Sequence, residues 1–194
     1  GAHDPPRCAT PNEMNMDINA NMAPQVLRGK LALVTGAGQG NGRAIAMGLA
    51  KAGARVIVTD LNETNARLVA QEIIDAGGQA SSFGLNVTSK AQCQSVAEKV
   101  GQELGHIDVL VNNAGITRDT LAMRMKDEDW EAVLDTNLKA VFRLSRAVMR
   151  PMMKQRYGRI ISITSVVGPS GNAGQANYAA AKAGVAGMTR ALAR

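Results

Sequence analysis

From Lys30 onward, short apolar runs alternate with longer amphipathic stretches. The runs are Leu31 to Thr35 (LALVT), Arg55 to Asp60 (RVIVTD), a weaker one near Ala80 to Leu85, Ile107 to Val111 (IDVLV) and Arg159 to Thr164 (RIISIT). Their Val, Ile and Leu are nearly continuous, without the polar alternation of a sheet that is wet on one side, and this predicts strands covered on both faces. Between them the spacing predicts helices over 43–52, 63–76, 89–104, 127–154 and from 175 to the end, with Gly53 and Gly77-Gly78 as stops. Strands alternating with helices in this way predict an α/β fold, a doubly wound parallel sheet with helices on both faces. Right-handed crossovers then put the first and fourth strands side by side, and a ligand belongs above that switch point. The chain ends inside its last predicted helix, whereas a crossover helix delivers the chain to a further parallel strand. The pattern therefore predicts a sheet lacking its C-terminal strands, poorly stable alone, whose fifth strand is an apolar edge.

Length changes this picture little, since 194 residues suit one domain. Residues 29–194 carry the pattern, and the polar stretch 1–28 reads as a flexible N-terminal extension. That stretch lacks the apolar centre of a secretory signal, and no run approaches the roughly 18 to 20 apolar residues of a membrane span. Two histidines (His3, His106) and two cysteines (Cys8, Cys93) are too few for a zinc site built on several such ligands, and no metal site is expected. A Ser-His-Asp hydrolase would rest on His106 alone. The absence of a disulfide framework points to a reducing, cytoplasmic compartment. The net charge of +6 is concentrated: between Leu138 and Arg159 stand seven basic residues (Lys139, Arg143, Arg146, Arg150, Lys154, Arg156, Arg159) and no acidic one. Arg143, Arg146, Arg150 and Lys154 recur at helical spacing and predict one basic face, with Pro151 bending or ending the helix. With 3% aromatic residues, nothing beyond net charge supports nucleic-acid binding.

Chemistry enters directly after the first strand, at Thr35-Gly36-Ala37-Gly38-Gln39-Gly40-Asn41-Gly42. Gly36, Gly40 and Gly42 form a GxxxGxG spacing between a strand and a helix, where glycine lets the backbone approach a pyrophosphate that the helix amides then meet. Asp60 closes the second strand, where a carboxylate accepts hydrogen bonds from ribose hydroxyls and repels a 2′-phosphate, so NAD is favoured while Arg43 nearby keeps NADP open. Tyr178 and Lys182 are spaced i, i+4 and share a helix face, an arrangement in which an ammonium stabilises a phenolate. Ser165 follows the fifth strand at its ligand-binding end. Asn137 is a polar amide inside a predicted amphipathic helix, where its propensity is low.

Together TGAGQGNG at 35–42, Asn112-Asn113-Ala114-Gly115, Asn137, Ser165 and Tyr178-Ala179-Ala180-Ala181-Lys182 resemble the short-chain dehydrogenase/reductase family, from about Lys30 to Arg194. Within it the chain looks most like bacterial 3-oxoacyl-[acyl-carrier-protein] reductases, through NNAGITRDTLAMRMKDEDW, VFRLSRAVMRPMMKQRYGRI and GNAGQANYAAAKAG. The resemblance implies a Rossmann-like fold and a catalytic tetrad. In it Tyr178 donates the proton, Lys182 tunes it and orients the nicotinamide ribose, Ser165 bonds the substrate carbonyl and Asn137 anchors a water. It implies further cofactor contacts at Gln39, Asn41, Asn86, Val87, Asn113, Ala114 and Gly115, with Asn112 lining the crevice. It also implies a homotetramer paired through the 127–154 and Tyr178 helices, and acyl carrier protein as an acidic partner. Arg156, ahead of the strand leading to Ser165, is the residue expected to dock that partner near the pocket entrance. Two features depart from the reductase pattern: Asn41 stands where an apolar residue is usual, and the acyl-carrier reductases, which use NADPH, more often have a basic residue in the loop and no acid at the Asp60 position. The expected function is reduction of a 3-oxoacyl thioester in fatty acid biosynthesis. The alternatives are an NAD-linked secondary-alcohol or sugar-alcohol dehydrogenase, and a non-catalytic truncated nucleotide-binding subunit.

Overall fold

The computed structural model describes residues 25–194. Five parallel strands, β1 (Leu31–Thr35), β2 (Arg55–Asp60), β3 (Gln79–Gly84), β4 (Val109–Asn112) and β5 (Arg159–Ser162), form one sheet in the order β3-β2-β1-β4-β5. As the crossover rule requires, β1 lies between β2 and β4, with Leu33 opposite both Ile57 and Leu110. Successive residues of β1 feed opposite faces. Leu31 and Leu33 pack with Val96 and Val100 of α3 (Lys90–Glu103) and with Leu144 and Val148 of α5 (Ala140–Lys154). Ala32 and Val34 pack with Ala46 of α1 (Gly40–Lys51) and with Val69 and Ile73 of α2 (Glu63–Asp75). Burying each large aliphatic side chain is worth about 1.5–3 kcal/mol, which is what holds a helix layer on either face. The sheet edge at β5 is open, as the apolar pattern predicts. Ile161 is 46% exposed, and a cavity of about 630 Å³ runs between β5, α5 and α7 (Ala176–Leu192), lined by Met149, Met152, Ile160, Ser162, Met188 and Leu192.

Three local features depart from the sequence pattern. The long helix over 127–154 is divided into α4 (Asp127–Leu134), a π-helical turn (Asp135–Lys139) and α5. Helix α1 begins at Gly40 rather than Arg43, because the loop geometry and not residue propensity sets its start. Pro151 does not end α5, which continues to Lys154. The helix stops instead where Arg156 N–H donates to the Met153 carbonyl and Tyr157 N–H to the Met152 carbonyl, each at 3.1 Å. This Schellman closure holds Arg156 at φ +56°, a left-handed conformation that favours glycine. Arg156→Gly is therefore expected to stabilise the fold by about 0.5–1 kcal/mol, with the larger unfolded-state entropy of glycine offsetting part of the relief. The check is a higher urea midpoint at unchanged slope.

Residues 1–24 of the expected N-terminal extension lie outside the described residues. Its last part, from Gln25, is a turn whose Leu27 N–H donates to the Ala52 carbonyl at 2.9 Å and whose Leu27 side chain packs on the core. A short helix α6 (Val167–Ser170) and a 3-10 turn (Ala122–Arg124) complete the elements. Among the described residues no helix is long and apolar enough to cross a membrane, and no group of three or more His, Cys, Asp or Glu is arranged to hold a metal ion.

Candidate active site

The carboxyl ends of β1, β2 and β4 meet around the glycine loop. Gly36 has φ +61°, and a Cβ there would lie 2.9 Å from Ala114 Cα, while a Cβ on Gly42 would press on the Gly36 carbonyl and on Asn113 Nδ2. Only glycine allows loop, α1 and the segment after β4 to close so tightly. Asn113 fastens the junction: its Nδ2 donates to the Thr35 carbonyl at 3.0 Å and the Gly36 carbonyl at 3.1 Å. Thr35 Oγ1 in turn accepts from Asn113 N–H at 3.0 Å and Ala114 N–H at 3.1 Å.

On the outer side the loop is open. Gly40 has φ +54° and nothing within 4 Å of a Cβ position, and Gln39 and Asn41 are exposed. Gln39, the N-cap of α1, makes no side-chain capping bond, and the first turn holds no acidic residue, so its backbone donors face an uncontested space. This cradle fits the phosphates of a dinucleotide. Asp60 sits at its rim: Oδ2 accepts from Gly38 N–H and Oδ1 from Asn62 N–H, both at 2.9 Å. A Cβ on Gly38 would lie 2.9 Å from Asp60 Cγ, so the loop rests against this carboxylate. Arg43 is drawn away, with Nη2 2.6 Å and Nε 2.9 Å from Glu72 Oε2 on α2. Beyond β3, Asn86 Oδ1 accepts from Thr88 N–H at 3.0 Å, and Val87 is buried in the core beside Leu33 and Leu110.

The second half of the site lies across the switch point. Asn137, fully buried in the π-helical turn, clamps Ile116: its Oδ1 accepts from Ile116 N–H and its Nδ2 donates to the Ile116 carbonyl, both at 2.8 Å. Gly115 leaves room for that clamp, since a Cβ there would lie 3.1 Å from Asn137 Oδ1. A π-turn inside a helix commonly marks a functional position. Ser165 follows β5, and its Oγ accepts from Val167 N–H at 3.2 Å. Residues 163–168 then wrap Lys182. Thr164 Oγ1 donates to the Lys182 carbonyl at 3.1 Å, Lys182 Nζ donates to the Ile163 carbonyl at 2.7 Å, and a Cβ on Gly168 would lie 3.2 Å from Lys182 C. Half-buried Tyr178 stands one turn earlier on α7, with Lys182 Nζ 5.5 Å from its ring centre.

Burial pushes the Lys182 ammonium below the ordinary lysine range. Between its lowered value and the ordinary one, the unfolded chain keeps a proton that the folded chain has released. The contribution of Lys182 to stability therefore rises with pH across that window and is constant below it. The unfolding free energy of the wild type minus that of Lys182→Met, from urea titrations over about pH 8 to 10, is expected to grow with pH. A flat difference would show that the fold does not disfavour the charged amine.

The sequence-predicted residues thus fall into two groups along one edge of the sheet: Gly36, Gln39, Gly40, Asn41, Gly42 and Asp60 on one side, and Asn137, Ser165, Tyr178 and Lys182 on the other. Asn113, Ala114 and Gly115 join them. Asn112, at the end of β4, instead points its amide toward the hydroxyls of Ser145 and Ser162, 3.4 Å from each. Arg156 does not lie where it was expected. It precedes β5 at the strand's amino end, the opposite end from Ser165, and lines the cavity of about 630 Å³ between β5, α5 and α7 rather than the crevice beside Ser165. The error arises because a residue close to a strand in sequence takes the edge set by strand direction. Arg143, Arg146, Arg150 and Lys154 do share a face, lining a cavity of about 710 Å³ between α3 and α5.

The model of the short chain dehydrogenase family matches residues 30–194. The chain belongs to that family. It is an oxidoreductase that acts on CH–OH groups with a nicotinamide cofactor. It is similar to the 3-oxoacyl-[acyl-carrier-protein] reductase FabG of Escherichia coli strain K12, 58% identical over 166 residues that make up 86% of this chain and 67% of the relative. The reductase of the same name from Vibrio cholerae is 54% identical over 168 residues, 87% of this chain and 68% of that protein. The one from Thermotoga maritima is 50% identical over the same shares.

Sequence reasoning missed two side chains at the site. Thr35 was read only as part of a motif, although a hydroxyl ending a fully buried strand must find partners there. Asn177, one residue before Tyr178, carried the same signal as Asn137, a low-propensity amide inside a helix.

Proposed function

We propose that this protein reduces a 3-oxoacyl thioester to the 3-hydroxy compound, its substrate presented on a carrier as in the reductases it is similar to. The observation that supports this most is the buried Lys182 ammonium, fixed to the Ile163 carbonyl and one helical turn from Tyr178, beside the segment bearing Ser165. In this reading the Tyr178 hydroxyl gives its proton to the substrate oxygen, and the Lys182 charge stabilises the phenolate left behind. Ser165 Oγ–H donates a hydrogen bond to the same oxygen as negative charge develops on it. Asn137 holds Ile116, and with it the segment after β4, in place, and carries the water expected in the proton relay. The amides of Gln39, Gly40, Asn41 and Gly42 take the cofactor's phosphates, Asp60 its adenosine ribose, and Asn86 and Val87 border its adenine. Asn113, Ala114 and Gly115 line the crevice to the nicotinamide, whose ribose Lys182 orients beside Tyr178. When bound, the cofactor supplies or accepts the hydride.

We further propose NAD as the preferred form, a homotetramer as the assembly and the cytoplasm as the compartment. The Asp60 carboxylate against Gly38 also favours a second reading, an NAD-linked secondary-alcohol dehydrogenase. Steady-state assays with NADH and NADPH on acetoacetyl thioesters and on a panel of secondary alcohols separate the two. Turnover of the thioester supports the first, turnover of alcohols alone the second, and no turnover removes both.

A further inference from the structure

Residues 116–120 follow the Asn113–Gly115 segment that joins the two halves of the site, and they are held at several points from the Asn137 and Tyr178 side. Asn137 grips Ile116 from the π-turn through two bonds of 2.8 Å. Two residues on, the Arg118 carbonyl accepts from Asn177 Nδ2 at 3.1 Å. The same Nδ2 lies 3.4 Å from the Asp129 carbonyl on α4, and Asn177 Oδ1 accepts from Tyr178 N–H at 2.7 Å. Further along, Thr120 N–H donates to the Gly174 carbonyl and Gln175 Nε2 to Asp119 Oδ2, both at 2.9 Å. Asn177 is wholly buried, and its amide makes both donor contacts and one acceptor contact with backbone. Asn177 is the second residue of α7, and its Nδ2 reaches carbonyls of two other segments, so its place here rests on tertiary bonding.

We propose that Asn177 is a positioning residue for Tyr178. It ties the first turn of α7 to the strap that Asn137 clamps, so that Ile116–Thr120 sets the phenol in register with the Asn137 and Ser165 side of the site. This inference rests on the reading of Tyr178 as proton donor. Small displacements of a reacting group are costly: a shift of about 1 Å lowers rates by up to roughly a hundredfold.

The test compares the wild type with Asn177→Ala and Asn177→Ser by amide hydrogen exchange, nucleotide titration and acetoacetyl thioester reduction. Asn177→Ala is expected to raise exchange in residues 116–120 and in the first turn of α7 while leaving β1 and β4 protected. It is expected to lower kcat by roughly ten- to a hundredfold with nucleotide Kd nearly unchanged. Asn177→Ser, which keeps a short donor, recovers part of both effects. Unchanged exchange in the strap overturns the proposal, and so does faster exchange spread evenly over the strands, which marks a structural role alone. A kcat loss no larger than the change in Kd overturns it too. If the wild type turns over no thioester, the function reading fails separately and the exchange pattern alone decides whether Asn177 holds α7.

Discussion

Tyr178→Phe is expected to abolish thioester reduction while leaving nucleotide affinity nearly unchanged. The substitution removes one oxygen and keeps the ring, so α7, the Lys182 contact with Ile163 and the glycine cradle across the switch point stay as they are. General acid–base groups contribute about 100-fold or more, so the remaining rate is expected below about a hundredth of the wild type. Because the lost interaction belongs to the chemical step, kcat and kcat/KM fall together. Steady-state kinetics paired with nucleotide titration reads both. Retention of more than about a tenth of the rate would remove Tyr178 from the proton-donor role. Lys182→Met is a useful companion: it keeps the phenol but removes the charge, and a smaller loss there than in Tyr178→Phe agrees with a supporting role for the amine.

The centre of the sheet was legible because β1, β2 and β4 are buried on both faces, and unbroken Val, Ile and Leu runs have few other uses; β3 and β5, at the sheet edges, are only partly covered, against the expectation for all five runs. Leu31–Thr35 and Arg55–Asp60 match the observed strands residue for residue. The placing of β1 beside β4 followed from crossover handedness. The glycine cradle and the Tyr178–Lys182 pair were legible for a related reason: a turn against a neighbouring backbone and a one-turn spacing on a helix are local constraints. What escaped was set by tertiary bonds. The π-turn at Asp135–Lys139 exists where Asn137 reaches Ile116, a pairing 21 residues apart that no periodicity reveals. Thr35 and Asn177 act on backbone groups in other segments, and a propensity reading sees them only as polar residues in unfavourable places. Arg156 was misplaced because sequence distance to Ser165 says nothing of which sheet edge a residue occupies.

NADH is expected to bind at least about tenfold more tightly than NADPH, and Asp60→Ala to narrow that gap. Asp60 is fixed from two sides, by Gly38 N–H and Asn62 N–H, so it cannot swing away from a second anion at the cradle rim. Two unit charges about 4 Å apart repel by about 4 kcal/mol at an effective dielectric of 20, and solvent at this open rim reduces that. A residue of about 1.4 kcal/mol already gives the tenfold preference. The counter-argument is Arg43, the nearest cation to the loop in sequence. Its guanidinium is engaged by Glu72, however, and paired charges neutralise one another before either acts on a phosphate. Arg43→Ala should therefore leave the NADH to NADPH ratio nearly unchanged, whereas Glu72→Ala, which frees Arg43, should improve NADPH binding. Titrations of both nucleotides against the wild type and these three variants make the comparison. Equal affinities in the wild type would sink the preference. A ratio that collapses in Arg43→Ala would show that the guanidinium, rather than the Asp60 carboxylate, governs the choice.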